Sequence, residues 1–185
     1  MVEKGQGWLL DRELPEGYLE EWAQRLRKAK DEYASGLTSV IVFRINQEYL
    51  ALPAGLFIEV TRELIPHRVP HRDVRMLRGV VNVRGELLPF VDLASLLGLS
   101  ADSQGRNGGV FSRRMPVVEK DGRWVFEVSE MLGGHRYDPQ KLTEVPATVS
   151  KSMRKYTLGV FEMGDHNVGL LDHELVFYTL KAGLA

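Results

Sequence analysis

Cysteine is absent from all 185 residues of the chain. Its absence excludes disulfides, thiolate zinc sites and cysteine nucleophiles, and it favours a reducing compartment. Long apolar runs are also missing: no stretch approaches the about 18 residues of a membrane span, and the first residues lack the apolar core of a signal peptide. We therefore expect a cytoplasmic protein with no direct membrane insertion.

An excess of either charge is missing too. The chain has 24 Lys and Arg against 25 Asp and Glu, a net charge of −1. This balance argues against bulk nucleic-acid binding and gives no reason to expect a polybasic membrane contact. The length favours one domain, or two small lobes that share an interface.

Motifs for catalysis are not visible in the sequence. There is no G-x-S-x-G element and no P-loop. His67 and His71 are four residues apart, but Pro66 and Pro70 prevent the helix on which zinc ligands at this spacing lie. We expect no enzyme activity, no metal and no cofactor, and an unrecognised enzyme is the weakest of the alternatives.

The first 37 residues form an extension with a helical pattern. Apolar residues recur at 3-4-3-4 spacing, which predicts an amphipathic helix over about residues 16–33; they are Leu19, Trp22, Leu26, Ala29 and Tyr33. Packing on its own domain and binding to a partner are both open, and self-association through this helix is one form of the second.

From residue 38 the pattern changes to short strands separated by turns, which indicates a mainly β fold. A short helical stretch is expected at Ala54–Val60 after Pro53, and another at Leu93–Leu97, closed by Gly98. The Gly-, Ser- and Asn-rich residues 100–112 are predicted to be a linker.

A weak internal repeat divides residues 38–182. The segments 84–98 and 165–179 share the order turn, apolar strand, aspartate and short helix, with Asp92 and Asp172 80 positions apart. The segments 48–60 and 123–134 share a returning strand followed by a short helix. Such a repeat suggests two small barrels, a first over about 38–99 and a second over about 113–172, before a C-terminal helix at 173–182.

The tetrapeptide Asn82-Val83-Arg84-Gly85 separates two apolar runs, which places an arginine at a predicted hairpin tip. Other arginines lie within the preceding residues, at positions 62, 68, 72, 75 and 78. An ordinary solvated surface, a patch for an acidic protein and a patch for nucleic acid all fit this cluster. Arginine favours an interface, because its planar guanidinium pairs with two oxygens at once.

The stretch GVVNVRGELLPFVDLASLLG (79–98), with its N-x-R-G-x-x-x-P-x-x-D pattern, resembles the central hairpin of the CheW family of coupling proteins. The segments 39–64, 123–133 and 156–177 resemble its other parts, so the similarity covers about residues 38–182. The layout, with its N-terminal helical extension, is most similar to the WspD-type coupling proteins.

The resemblance implies two SH3-like five-stranded β-barrels around a shared hydrophobic centre and no catalytic activity. It implies an adaptor that binds a CheA-type histidine kinase and the cytoplasmic tip of a methyl-accepting chemoreceptor, and that is recruited to membrane-bound receptor arrays. The WspD-type layout further implies a pathway whose output is a diguanylate cyclase.

The resemblance also implies the site. Arg84 matches an arginine on the receptor-binding face, and Glu59 matches a glutamate close to it on the preceding short helix. The expected partner-binding residues are Phe57, Glu59, Val60, Asn82, Arg84 and Gly85. Two alternatives stay open: Arg84-Gly85 serves only as a turn, or the chain is a small-barrel nucleic-acid-binding module that uses the cluster from Arg62 to Arg84.

Overall fold

The structure is a computed structural model, and it describes residues 20, 36–70, 76–99, 114–146 and 149–184. Contacts divide the chain into two compact units, Met1–Leu37 and Thr38–Ala185. The predicted amphipathic helix over residues 16–33 lies outside the described residues, apart from Glu20, which is helical and exposed. The predicted linker over residues 100–112 also lies outside them.

The second unit is built mainly from strands. They are β1 Thr38–Ile45, β2 Glu48–Pro53, β3 Phe57–Arg62, β4 Leu77–Val83, β5 Glu86–Val91, β6 Arg114–Glu119, β7 Arg123–Phe126, β8 Glu130–Tyr137, β9 Thr157–Met163 and β10 His166–Leu171. The helices are short: α1 Leu93–Leu97, α2 Lys151–Lys155 and α3 His173–Leu184, with single 3-10 turns at Ala54–Leu56 and Pro139–Lys141.

Two of the predicted helices are strands instead. The helix expected at Ala54–Val60 is reduced to the 3-10 turn Ala54–Leu56, and Phe57 begins β3. The helix expected after the returning strand of the second repeat is the start of β8. In β3 the β-branched residues Ile58, Val60 and Thr61 favour extended backbone, which outweighs the helix start signal of Pro53.

The strands form two five-stranded sheets, which confirms the mainly β fold class. The first sheet has the order β8-β1-β2-β10-β9, and the second has the order β3-β6-β7-β5-β4. Parallel pairs join β2 to β10 and β5 to β7, whereas the other neighbours are antiparallel.

Each sheet therefore takes two strands from one half of the chain and three from the other. This corrects the prediction of a first barrel over 38–99 and a second over 113–172, because neither sheet is a contiguous segment. The physical reason is that a β1–β2 or β6–β7 hairpin alone leaves both edges unpaired. Strands of the opposite half pair with those edges.

The free edges of each sheet approach one another through one isolated bridge. Residue His67, after β3, pairs with Val80 of β4, and Thr143, after β8, pairs with Val160 of β9. Gly79 makes the first bridge possible: its φ is 147°, and a Cβ there would lie 2.3 Å from the His67 carbonyl oxygen. Only glycine, which has no Cβ, allows the two backbones to approach this closely without strain.

The 80-residue repeat is visible in matching helix starts. The Asp92 carboxylate accepts a hydrogen bond from the Ser95 N–H at 3.0 Å, and the Asp172 carboxylate accepts one from the Leu175 N–H at 3.1 Å. Aspartate is a strong N-cap, since its side chain satisfies a backbone donor that lacks a helical partner. The repeated aspartate therefore starts a helix after the last strand of each half.

Among the residues that the structure describes, three apolar clusters make up the core. One fills the second sheet and includes Val81, Phe90 and Val117; another fills the first sheet and includes Val42, Ala51 and Phe161. The largest lies between the sheets and draws Phe43, Leu50 and Leu52 from one and Val118, Trp124 and Phe126 from the other. This cluster is the shared hydrophobic centre that the resemblance predicted.

Candidate docking surface around Arg84

The β4–β5 hairpin ends in a two-residue turn at Arg84 and Gly85. Val83 and Glu86 are paired across it, and φ is 50° at Arg84 and 91° at Gly85. Positive φ at both central positions is typical of the turn that joins tightly twisted strands. The Asn82 side-chain oxygen accepts a hydrogen bond from the Gly85 N–H at 2.8 Å. This side-chain hydrogen bond stabilises the turn.

Arg84 is an unusual residue for this position. Left-handed backbone costs a residue with a Cβ about 1–2 kcal/mol, and Asn and Gly are the residues that usually occupy it. A strained residue at an exposed tip is a reason to look for a function of its side chain.

The Arg84 guanidinium pairs with the Glu59 carboxylate at 2.5 Å. The two side chains differ in exposure, at 83% for Arg84 and 19% for Glu59. Strand β3 and the β4–β5 hairpin are at opposite edges of the second sheet, so curling of the sheet brings these residues together. The predicted proximity of Arg84 and Glu59 is confirmed, but Glu59 lies on a strand rather than on a helix.

Strand geometry also changes the expected neighbours of Glu59. Phe57 is half-buried and packs against the core, where its ring lies 6.3 Å from that of Phe43. Val60 is 45% exposed, as predicted, and Ile58 is 47% exposed. Alternation along β3 therefore places Ile58 and Val60 on the exposed face and the half-buried Glu59 on the opposite face.

Two apolar residues near the hairpin were missed by the sequence reasoning. Ile58 was not singled out, because the helical assignment hid the alternation of β3. Leu87 is directly opposite Asn82 in the hairpin and is 65% exposed. It lies in the apolar run that follows the turn, and the sequence analysis did not assign it to either face of the strand. The two-residue period of a strand, applied to β5, would have placed Leu87 on the face opposite to the buried Leu88 and Phe90.

A second ion pair braces the hairpin from the neighbouring strand. Arg123, at the start of β7, donates a hydrogen bond to the Glu86 carboxylate at 2.5 Å. The Glu119 carboxylate lies 3.7 Å from the Arg123 Nε. The Glu86 hydrogen bond, together with the charges of Glu86 and Glu119, raises the pKa of Arg123. Glu86 follows Gly85 directly, so this contact holds the base of the turn.

Internal contacts account for part of the predicted arginine cluster. Arg78 contacts the Asp92 carboxylate at 2.8 Å and the Glu127 carboxylate at 3.4 Å. Arg84 is paired with Glu59. These two arginines therefore do not form a continuous free cationic surface with the others.

The remaining members of the cluster separate into two groups. Arg72 and Arg75 lie outside the described residues. Arg62 and Arg68 are exposed, and the structure records no ion pair for either among the residues it describes. The cluster seen in the sequence is thus divided by the fold.

Within ranges 36–70, 76–99, 114–146 and 149–184, no group of three or more His, Cys, Asp or Glu side chains is placed to hold a metal ion. None of the helices in the described part of the chain has the length and apolar character that a membrane span requires.

Fold and site together define a class of β domain with an internal repeat, a shared core between two sheets and a charged hairpin tip. The chain belongs to the CheW-like domain family, whose sequence profile matches residues 39–181. This membership confirms the family resemblance seen in the hairpin motif.

Relatives share the family name. Chemotaxis protein CheW of Helicobacter pylori is 27% identical over 143 residues, which are 77% of this chain and 83% of that protein. Chemotaxis protein CheW of Thermotoga maritima is 27% identical over 147 residues, 78% of this chain and 92% of that protein. The crystal structure of the scaffolding protein TtCheW from Thermoanaerobacter tengcongensis matches with a TM-score of 0.61 at 18% identity, covering 76% of this chain and 92% of that one. That last similarity concerns the fold.

Proposed function

We propose that the chain is a non-enzymatic adaptor that couples a chemoreceptor to a CheA-type histidine kinase in a bacterial chemosensory array. Membership of the CheW-like domain family and the names of the relatives support a scaffolding role. The observation that carries the proposal is Arg84, an exposed arginine kept in a strained conformation at a hairpin tip.

The receptor-binding surface that we propose consists of Arg84 with its partner Glu59, the turn residues Asn82 and Gly85, and Val60. Phe57, which the resemblance also implies, is half-buried and packs against the core beside Phe43. Ile58 on β3 and Leu87 on β5 are further exposed apolar residues of the same sheet. An apolar area with a charged rim is the usual composition of a protein interface.

Glu59 orients Arg84 in this proposal. An exposed ion pair contributes only about 0–1 kcal/mol to folding. Its larger effect is expected on docking, where charged contacts decide orientation and partner choice. The pair would keep the guanidinium in one place until a receptor helix contacts it.

The test is assembly from purified components: the chain, a receptor cytoplasmic fragment and a CheA-type kinase from the source organism. We expect the three to sediment together and the kinase to be receptor-regulated only when the chain is present. Receptor control of the kinase without the chain, or no assembly with it, would remove the proposal.

We further propose that the pathway is of the Wsp type, with a diguanylate cyclase as its output, on the strength of the WspD-type sequence layout. Deletion of the gene should then change cyclic-di-GMP and surface growth while swimming in soft agar is retained. Loss of chemotactic swimming with normal cyclic-di-GMP would instead assign the adaptor to a motility array.

A further inference from the structure

Three strands of the second sheet carry a charged residue beside the β4–β5 turn, and all three charges lie on one face. They are Glu86 of β5, Glu119 of β6 and Arg123 of β7. Each lies two residues from a member of the apolar cluster that fills this sheet, namely Leu88, Val117 and Val125. Side chains two apart on a strand point to the same side. The three charges therefore lie at one end of the apolar interior of the sheet.

Glu59 and Arg84 belong to the same end. Glu59 is directly opposite Val117 in the β3–β6 pair, and residues directly opposite point to the same side of a sheet. The Arg84 turn joins β4 to β5 here, and its guanidinium reaches Glu59. Three carboxylates and two guanidinium groups thus form one group, which we call the charged end: Glu59, Arg84, Glu86, Glu119 and Arg123.

The two arginines of the charged end divide the three carboxylates unequally. Arg84 contacts Glu59 at 2.5 Å. Arg123 contacts Glu86 at 2.5 Å and Glu119 at 3.7 Å. Among the residues that the structure describes, no ion pair joins Arg84 to Glu86, although only Gly85 separates them in the chain.

Glu86 is the carboxylate that would compete for Arg84 if Arg123 were absent. Its side chain is 52% exposed, so it is free to turn toward the tip of the hairpin. A guanidinium has five N–H donors and can bind more than one carboxylate. Without Arg123, the Arg84 side chain would be shared between Glu59 and Glu86, and fewer of its donors would face outward.

We propose that Arg123 is a positioning residue for the docking surface. It binds Glu86 and Glu119, which leaves Glu59 as the carboxylate partner of Arg84 and keeps the Arg84 guanidinium where a partner protein can reach it. This inference rests on the proposed function, because it concerns how Arg84 is presented to the receptor.

Two measurements on the full chain test the proposal. The NMR signal of the Arg84 Nε–H group, assigned by its loss in Arg84→Ala, reports the surroundings of the guanidinium without any receptor. Titration with the receptor cytoplasmic fragment reports docking. Arg123→Gln should shift the Arg84 signal and weaken receptor binding about fivefold, within the range of couplings measured inside one ion-pair network. Arg123→Lys keeps the charge but loses the planar fork, so its effects should be smaller.

A rescue experiment separates positioning from simple bracing of the hairpin. Adding Glu86→Gln to Arg123→Gln removes the competing carboxylate, so the Arg84 signal should return and receptor binding should recover to within about twofold of the wild type. Glu86→Gln alone should bind the receptor normally. If the ion pair only braces the hairpin, Glu86→Gln alone breaks it as fully as Arg123→Gln does, and the double variant stays weak.

Arg78→Gln is the matched control. Arg78 also contacts two carboxylates of this domain, those of Asp92 and Glu127. It lies on β4 five residues before Val83, which places it about 16 Å along the strand from the turn. Its substitution should leave the Arg84 signal and receptor binding unchanged, whatever its effect on the melting temperature.

Three results would overturn the proposal. The first is an Arg84 signal that does not move in Arg123→Gln, or receptor binding that does not weaken there although Arg84→Ala weakens it. The second is no recovery when Glu86→Gln is added. The third is an equal effect of Arg78→Gln. Normal receptor binding by Arg84→Ala would instead remove Arg84 from the proposed function, and the Arg84 signal would then decide the positioning role of Arg123 by itself.

Discussion

Replacement of Arg84 by asparagine separates the function of this residue from its place in the turn. The substitution converts Arg84-Gly85 into Asn-Gly, the sequence that this turn type prefers. It removes the charge that faces Glu59 and relieves the strain of left-handed backbone at the same time. Alanine at the same position removes the charge and keeps the strain.

The two effects on stability have opposite signs. Asparagine tolerates the left-handed backbone better than arginine, so its lower strain should raise the free energy of unfolding by up to about 1 kcal/mol. Loss of the exposed Glu59 ion pair costs about 0–1 kcal/mol. Arg84→Asn should therefore change the free energy of unfolding by less than about 1 kcal/mol, with either sign. Arg84→Ala should be less stable than Arg84→Asn by about 0.5–1 kcal/mol.

Thermal and urea unfolding of the same samples measure this difference, which corresponds to about 1–4 °C in melting temperature for a domain of this size. Titration with a receptor fragment then measures docking. We expect both variants to bind the receptor about tenfold more weakly than the wild type, or about 1.4 kcal/mol. Arg84→Glu should be weaker still, because it also repels Glu59.

A charge exchange completes the test. The double variant Glu59→Arg with Arg84→Glu restores an ion pair between the two positions but reverses its direction. Folding stability should return toward the wild-type value, and receptor binding should not. Normal receptor binding by Arg84→Asn, or recovery of binding in the exchanged pair, would refute the reasoning and leave Arg84 as a turn residue.

Gly79→Ala should lower the free energy of unfolding by about 1–3 kcal/mol, since the new Cβ would overlap the His67 carbonyl. The control is Gly55→Ala, whose added Cβ would have no neighbouring atom within 4 Å. Equal effects of the two substitutions would contradict the account of the bridge between His67 and Val80. Hydrogen bonding and charge from Lys120 lower the pKa of Glu174. Stability from this carboxylate is present above its ordinary pKa of 4.5 and is lost as the pH falls through the folded value, so the wild-type advantage over Glu174→Gln should shrink with acid in urea titrations. Finally, the two halves of the β domain, separated between α1 and β6, should each stay unfolded alone and fold when mixed, as circular dichroism would show; folding of either half alone would contradict the exchange of strands.

Sequence patterns alone determined the local elements of this protein. The tetrapeptide Asn82-Val83-Arg84-Gly85 predicted a hairpin that the structure contains. Asp92 and Asp172 predicted matching helix starts, and Gly98 the end of a helix. These features depend on residues close together in the chain, whose backbone preferences do not need distant contacts. The hairpin motif and the three other similar segments also predicted the family.

Tertiary structure decided which strands become neighbours. The assignment of 57–60 as helix failed because its signals were weak and pairing of β3 with β6 favours extended backbone. Exchange of strands between halves is invisible locally, since it depends on burying the edges of both hairpins at once. The same pairing sets Arg62 opposite Arg114, and curling of the second sheet carries Glu59 to Arg84. Contacts between residues far apart in sequence follow from closure of the sheets, and no short pattern encodes them.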